Sequence, residues 1–160
     1  MLFSEESYKF MFAALQEAEN AFAEDEVPVG AVVVFQNRII GRGYNQVEKL
    51  KDATAHAEMI AITSAANHLS NWNLSECDIY VTLEPCVMCT GALLLSRIKN
   101  IFFAAFDTKF GACGSIYNFA SEGKYNHKIN VYSGIYSSES ENLLTSFFSK
   151  KRKQSKKYIH

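Results

Sequence analysis

The segment from Asp78 to Phe106 constrains this 160-residue chain more than any other. It opens on an apolar, β-branched run, Asp78 to Leu83, and closes on a second, Ile101 to Phe106. Between them Pro85 stands where a helix start is favoured, and the helical pattern continues through Leu95. Strand, helix, strand is a βαβ unit, which requires a sheet covered by helices. The apolar stretches themselves fall far below the roughly 20 residues that a membrane helix needs.

The flanking sequence extends that unit into one domain. Ser4 is placed to cap a helix with Glu5 and Glu6 in its first turn and Tyr8, Met11, Phe12, Leu15, Ala18 and Phe22 along one apolar face. The helix is expected to end near Glu24 to Glu26. The run from Val27 to Phe35 is too continuously apolar for a one-sided strand; with Gln36-Asn37 and the segment Arg38 to Tyr44 it predicts a hairpin at the start of a buried sheet. Thr54 is expected to cap a helix from Ala55 to about His68, whose alanines suit close packing on the sheet.

Glycines at 111, 114 and 123 interrupt any period between 107 and 128, which reads as loop with a short helix near Ile116 to Phe119. Asn130 to Ile135 reads as a last strand. Ser138 with Glu141 fits a capping box opening a final helix through Leu143, Leu144, Phe147 and Phe148. The domain organisation expected is one domain over 1–149 and a basic extension, 150–160, continuing the last helix.

That extension carries six of the 16 basic residues and no carboxylate, which leaves ten cations against 17 carboxylates in the body. Such a cluster concentrates polyanions, with nucleic acid the obvious cytosolic candidate; it also fits a solvated helix end, where cations are favoured. The acidic amino terminus, Met1-Leu2-Phe3-Ser4-Glu5-Glu6, lacks the charge pattern of a secretory signal and predicts a cytoplasmic protein. Four cysteines, at 77, 86, 89 and 113, are too few and too unevenly spaced for a disulfide scaffold, so free thiols or metal ligands are expected.

Two motifs carry chemistry: His56-Ala-Glu58 at the start of one helix and Pro85-Cys86-Val-Met-Cys89 at the start of the next. Cys86 and Cys89, at i and i+3, share a side of their helix, and a helix N-terminus favours the thiolate that binds zinc. One imidazole and two thiolates leave a fourth tetrahedral position open for water, the mark of a catalytic zinc. Two thiolates already cancel the metal charge, so a neighbouring carboxylate is needed to take the water's proton, and Glu58 is the candidate. One objection is geometric: residues i and i+2 point about 200° apart around a regular helix, so His56 and Glu58 share a metal only if it sits at the helix end. Singly, the histidine also fits a packed or solvated residue and the Cys-x-x-Cys a redox pair; a four-ligand structural zinc would have to recruit Cys77 or Cys113.

His-x-Glu followed by Pro-Cys-x-x-Cys is the known signature of zinc-dependent nucleobase deaminases. Over nearly its whole length the chain resembles the bacterial tRNA adenosine deaminases. The likeness runs through Glu26-Val-Pro-Val-Gly-Ala31, Gly43-Tyr-Asn45, Thr54-Ala-His-Ala-Glu58, Tyr80 to Cys89, Gly91-Ala92, Ser96-Arg-Ile98 and the glycine-containing stretch from Asp107 to Ser115. It implies an α/β fold, a three-layer α/β/α sandwich around a mixed five-stranded sheet, and a homodimer with one Zn2+ per subunit. It implies hydrolytic conversion of the wobble adenosine of a tRNA anticodon to inosine, with ammonia released; a free guanine or cytosine deaminase of the same superfamily is the alternative.

Carried over by position, the resemblance makes His56, Cys86 and Cys89 the zinc ligands and Glu58 the proton shuttle. Asn45 is similar to an asparagine that contacts the substrate nucleotide. Asp107 matches an aspartate near the RNA backbone, suited to accept from a ribose 2′-hydroxyl. Phe147 and Phe148 match an aromatic pair of the final helix, where Phe148 would stack on a base, although both also fit ordinary core residues. Phe106 and Phe110 depart from the polar residues expected beside Asp107 and Gly111, and the tail carries lysines where the family more often shows arginines; lysine supplies phosphate attraction without arginine's planar bidentate fork.

Overall fold

The computed structural model describes residues 2–157; the last three residues of the basic extension, 158–160, lie outside the described residues. Five strands form one mixed sheet: β1 (Gly30–Phe35), β2 (Arg38–Tyr44), β3 (Cys77–Leu83), β4 (Asn100–Ala105) and β5 (Asn130–Ser133). Their order across the sheet is β2-β1-β3-β4-β5, antiparallel between β2, β1 and β3 and parallel from β3 to β5. The expected βαβ unit is therefore β3, α4 (Val87–Leu95) and β4.

Both sheet faces are buried, which is why β1 reads as an unbroken apolar run. Ala31 and Val33 point to one core with Ile79, Val81, Ile101 and Phe103, beneath α3 (Ala57–Leu69) and α4. Val32 and Val34 point to the other, with Tyr80 and Ala104, beneath α1 (Glu5–Ala23). The alanines of α3 come so close to β2 that a Cβ on Gly41 or Gly43 would overlap the Ala61 or Ala57 carbonyl oxygen. The last helix, α5 (Ser137–Lys157), lies beside α1, with Phe147 edge-on to Phe22 at 6.0 Å and Lys151 Nζ 2.6 Å from Asp25 Oδ2.

Ser4 caps α1 as expected, its hydroxyl accepting from the Ser7 amide at 3.1 Å. The hairpin turns at Gln36 and Asn37, both with positive φ, the geometry that matches the twist of the paired strands. Other boundaries differ. Thr54 does not cap α3: its hydroxyl bonds Asp52 at 2.7 Å, and His56 takes the N-cap position. Pro85 lies one residue before Cys86, the N-cap of α4. The helix expected near Ile116 to Phe119 is absent, because the backbone there folds back to pair Cys113 with Asn118, and the Gly111 carbonyl accepts from Ile116 and Tyr117. Ser138 sits inside α5, which starts directly after Tyr136, held at φ 57. A four-residue helix, α2 (Val47–Leu50), has no periodic signature in the sequence.

Candidate active site

The helix α4 begins just beyond the end of the central strand β3, with the start of α3 beside it, and each contributes its N-cap side chain. His56 has extended backbone (φ −76°, ψ 155°), as does Cys86 (φ −74°, ψ 177°). This removes the objection that residues 56 and 58 diverge: His56 stands before the first helical residue, while Glu58 belongs to the first turn. Cys86 and Cys89 likewise meet as N-cap and third helical residue, the pairing of a capping box, rather than as neighbours on a helix side.

His56 Nδ1 lies 3.7 Å from Cys86 Sγ and 3.6 Å from Cys89 Sγ. Tetrahedral zinc with ordinary Zn–N and Zn–S bonds holds such atoms roughly 3.6 Å apart. The donor set therefore fits zinc in chemistry and in spacing. Among the described residues the cluster consists of these three donors. Cys77 and Cys113 are buried elsewhere, Cys113 Sγ against the Thr90 hydroxyl at 3.3 Å, so the four-ligand structural site is not formed.

The electrostatics of the protein groups by themselves favour one thiolate. The hydrogen bond from Cys89 lowers the Cys86 thiol to about 4, with His56 contributing in the same direction. That bond and burial push Cys89 up. His56 is raised, chiefly by its bond to Cys86. Glu58 is 4% exposed, and burial raises its pKa against the opposing bond from Cys89. A carboxyl held above its usual range beside the donors is suited to receive a proton and return it.

His56, Glu58 and Cys86 form part of the lining of a cleft of about 1490 Å³. One wall is the segment around α2, the opposite wall is 106–110, and Phe147, Phe148 and Lys151 of α5 close a third side. Asn45 lines the cleft too: its amide donates to the Val29 carbonyl, but its buried side-chain oxygen has no partner. Such an orphan costs about 1–3 kcal/mol until a donor fills it. Asp107 lies on the opposite wall, with Oδ1 accepting from the Lys109 and Phe110 amides. Phe147 is buried, while Phe148 is 45% exposed and stands edge-on to it. Phe106 and Phe110 present exposed rings at the rim.

Two carboxylates had no role assigned from sequence. Glu26, 1% exposed, accepts from the Glu48 and Lys49 amides and so fixes α2. Glu84, 2% exposed, fixes the opposite wall. The available signal was an acidic residue next to an apolar strand end, since such a group is buried only if its oxygens are satisfied.

Residues 4–105 match the model of the cytidine and deoxycytidylate deaminase zinc-binding region. A tRNA-specific adenosine deaminase of Aquifex aeolicus is 46% identical over 89% of this chain and 94% of its own length. A structure solved in a study of A-to-I editing by tRNA:A34 deaminases superposes with a TM-score of 0.82 at 44% identity, covering 85% of this chain and 99% of that one. A guanine deaminase from Nitrosomonas europaea gives 0.76 at 26% identity, covering 90% and 84%. The mixed five-stranded sheet, the zinc-fitting donors and these matches have one conclusion: the chain belongs to the zinc-dependent cytidine and deoxycytidylate deaminase family, among the tRNA-specific adenosine deaminases.

Proposed function

We propose that this enzyme hydrolyses the wobble adenosine of a tRNA anticodon to inosine, releasing ammonia. The observation that carries the reading is the placement of buried Glu58 beside the three donors on a cleft far larger than one nucleobase, in a chain whose relatives are named for this reaction. Zinc, when bound, supplies Lewis-acid activation of the attacking water. Glu58 would take a proton from that water and deliver it to the ring nitrogen as oxygen bonds to C6, then carry the second proton to the amine, which leaves as ammonia. The unpartnered Asn45 oxygen receives a donor from the substrate nucleotide, and Asp107 receives a ribose hydroxyl. Phe148, with Phe106 and Phe110, offers rings on which splayed bases stack.

The basic face of α5 supports RNA binding, since Lys150, Lys153 and Lys157 line one shallow groove beside Ser146 and Ser149. A homodimer is supported by α4, whose outer face exposes Val87 (57%) and Leu95 (78%) around Gly91, where a Cβ would meet nothing within 4 Å. Leu95→Glu is expected to shift the sedimenting species from dimer to monomer; an unchanged dimer would place the interface elsewhere. Four free thiols suit a reducing cytoplasm. No helix among the described residues is long and apolar enough to cross a membrane.

The decisive assay incubates zinc-loaded protein with a minimal anticodon stem-loop carrying wobble adenosine, in parallel with free adenosine, cytosine and guanine. Inosine in the RNA alone is the expected result. Ammonia from a free base alone would keep the proton chemistry and replace the substrate.

A further inference from the structure

We infer that Glu84 is a positioning residue: its buried carboxylate fastens the 107–115 loop to the metal-bearing turn and thereby sets the grip on RNA. This rests on the function proposed above. Glu84 lies between the end of β3 and Pro85-Cys86, with its amide donating to the Ala105 carbonyl at 2.8 Å. Its Oε1 accepts from the Asp107 amide at 3.1 Å and from the Ser115 hydroxyl. Its Oε2 accepts from the Cys113 amide at 3.0 Å and the Ser115 amide at 3.1 Å. Four donors fill a carboxylate's capacity, which is what permits a group 2% exposed to stay there.

Other links join the same two segments. Gly111 bridges Cys86, and the Ala112 amide donates to the Pro85 carbonyl at 2.9 Å. A Cβ on Gly111 would overlap the Glu84 carboxylate, so the loop approaches more closely than any side chain at 111 would allow. The loop in turn carries Asp107 and Phe110 on the cleft wall. The hydrogen-bond partners of both Glu84 oxygens all lie in the loop, and Glu84 is not among the three donors, so its influence on the reaction passes through the loop.

Glu84→Gln keeps the volume but turns an NH2 group towards at least one backbone N–H donor, which breaks at least one bond without touching a zinc ligand. In the zinc-loaded full chain it is expected to raise KM for the stem-loop about tenfold, with kcat within about threefold, and to speed amide exchange at Cys113 and Ser115 about tenfold. Zinc content stays at the wild-type level. Ser115→Ala, which removes one bond only, is expected to move KM the same way by about twofold and decides the matter if Glu84→Gln does not fold. A folded Glu84→Gln protein with wild-type KM and wild-type exchange overturns the inference, as does a loss of zinc with a matching fall in kcat. If the wild-type protein leaves the RNA unmodified, the substrate reading fails, while the exchange measurement still decides whether Glu84 holds the loop.

Discussion

The floor of the cleft and its 106–115 wall are built on different principles. The floor depends on short-range spacing: two helix N-caps, His56 and Cys86, each stand within three residues of a second functional group in the same first turn. The wall has no regular structure and depends on Glu84, 23 residues before Asp107 and 31 before Ser115 in sequence, for its conformation. Local helix geometry thus fixes the chemistry, whereas a single long-range carboxylate fixes the surface that meets the rest of the substrate. Changes in the floor should act on kcat, and changes in the wall and rim on KM.

The largest effect expected belongs to the floor. Glu58→Ala should lower kcat by about 10²- to 10⁴-fold while zinc remains bound and KM changes little. Metal analysis with single-turnover kinetics checks this; wild-type turnover would remove Glu58 from the mechanism. A thiol-alkylation experiment sharpens the electrostatic half of the comparison. After zinc is chelated, Cys86 is ionised above about pH 4, whereas burial pushes Cys77 up to about 11 and Cys113 to about 12. Between pH 6 and 8 Cys86 should therefore alkylate first, with Cys77 and Cys113 protected, and bound zinc should suppress the modification. Peptide mass mapping that finds Cys113 modified first would contradict the assigned order.

At the rim the effects become smaller. Exchanging Phe110 for Ala should raise KM for the stem-loop by roughly five- to tenfold through lost stacking and leave kcat nearly unchanged. A fall in kcat instead would mean that floor and wall are not separable. The smallest effect belongs to α5, where Lys153→Gln with Lys157→Gln should make the dependence of log affinity on log salt shallower by about 1.5 and weaken binding severalfold at low salt. Lys151 is left in place because it ties the helix to Asp25. An unchanged slope over a salt titration would take this face away from the RNA.

How far the sequence was legible follows the same division. The Ser4 cap, the Gln36-Asn37 turn and the βαβ unit were readable because each is decided by residues a few positions apart. The three donors were readable as members of two short motifs, though not that the motifs would meet. Thr54 misled because its hydroxyl has a nearer partner in Asp52, which moved the helix start to His56. The helix expected at 116–119 lost to backbone pairing across Cys113 and Asn118, which no local pattern encodes. Glu26 and Glu84 stood inside recognised motifs, yet their partners are separated from them by 22 or more residues.

By itself, then, the sequence determined which residues carry reactive groups and which helix ends present them, since caps, periodicity and i to i+3 spacing are local properties. Only the tertiary structure decided that the two helix ends converge to a spacing of 3.6–3.7 Å, that Glu58 is buried beside them, and that two carboxylates hold opposite walls of one cleft. The physical reason is that desolvation and hydrogen-bond satisfaction depend on everything packed around a group, and that environment exists only once the sheet has brought distant segments together.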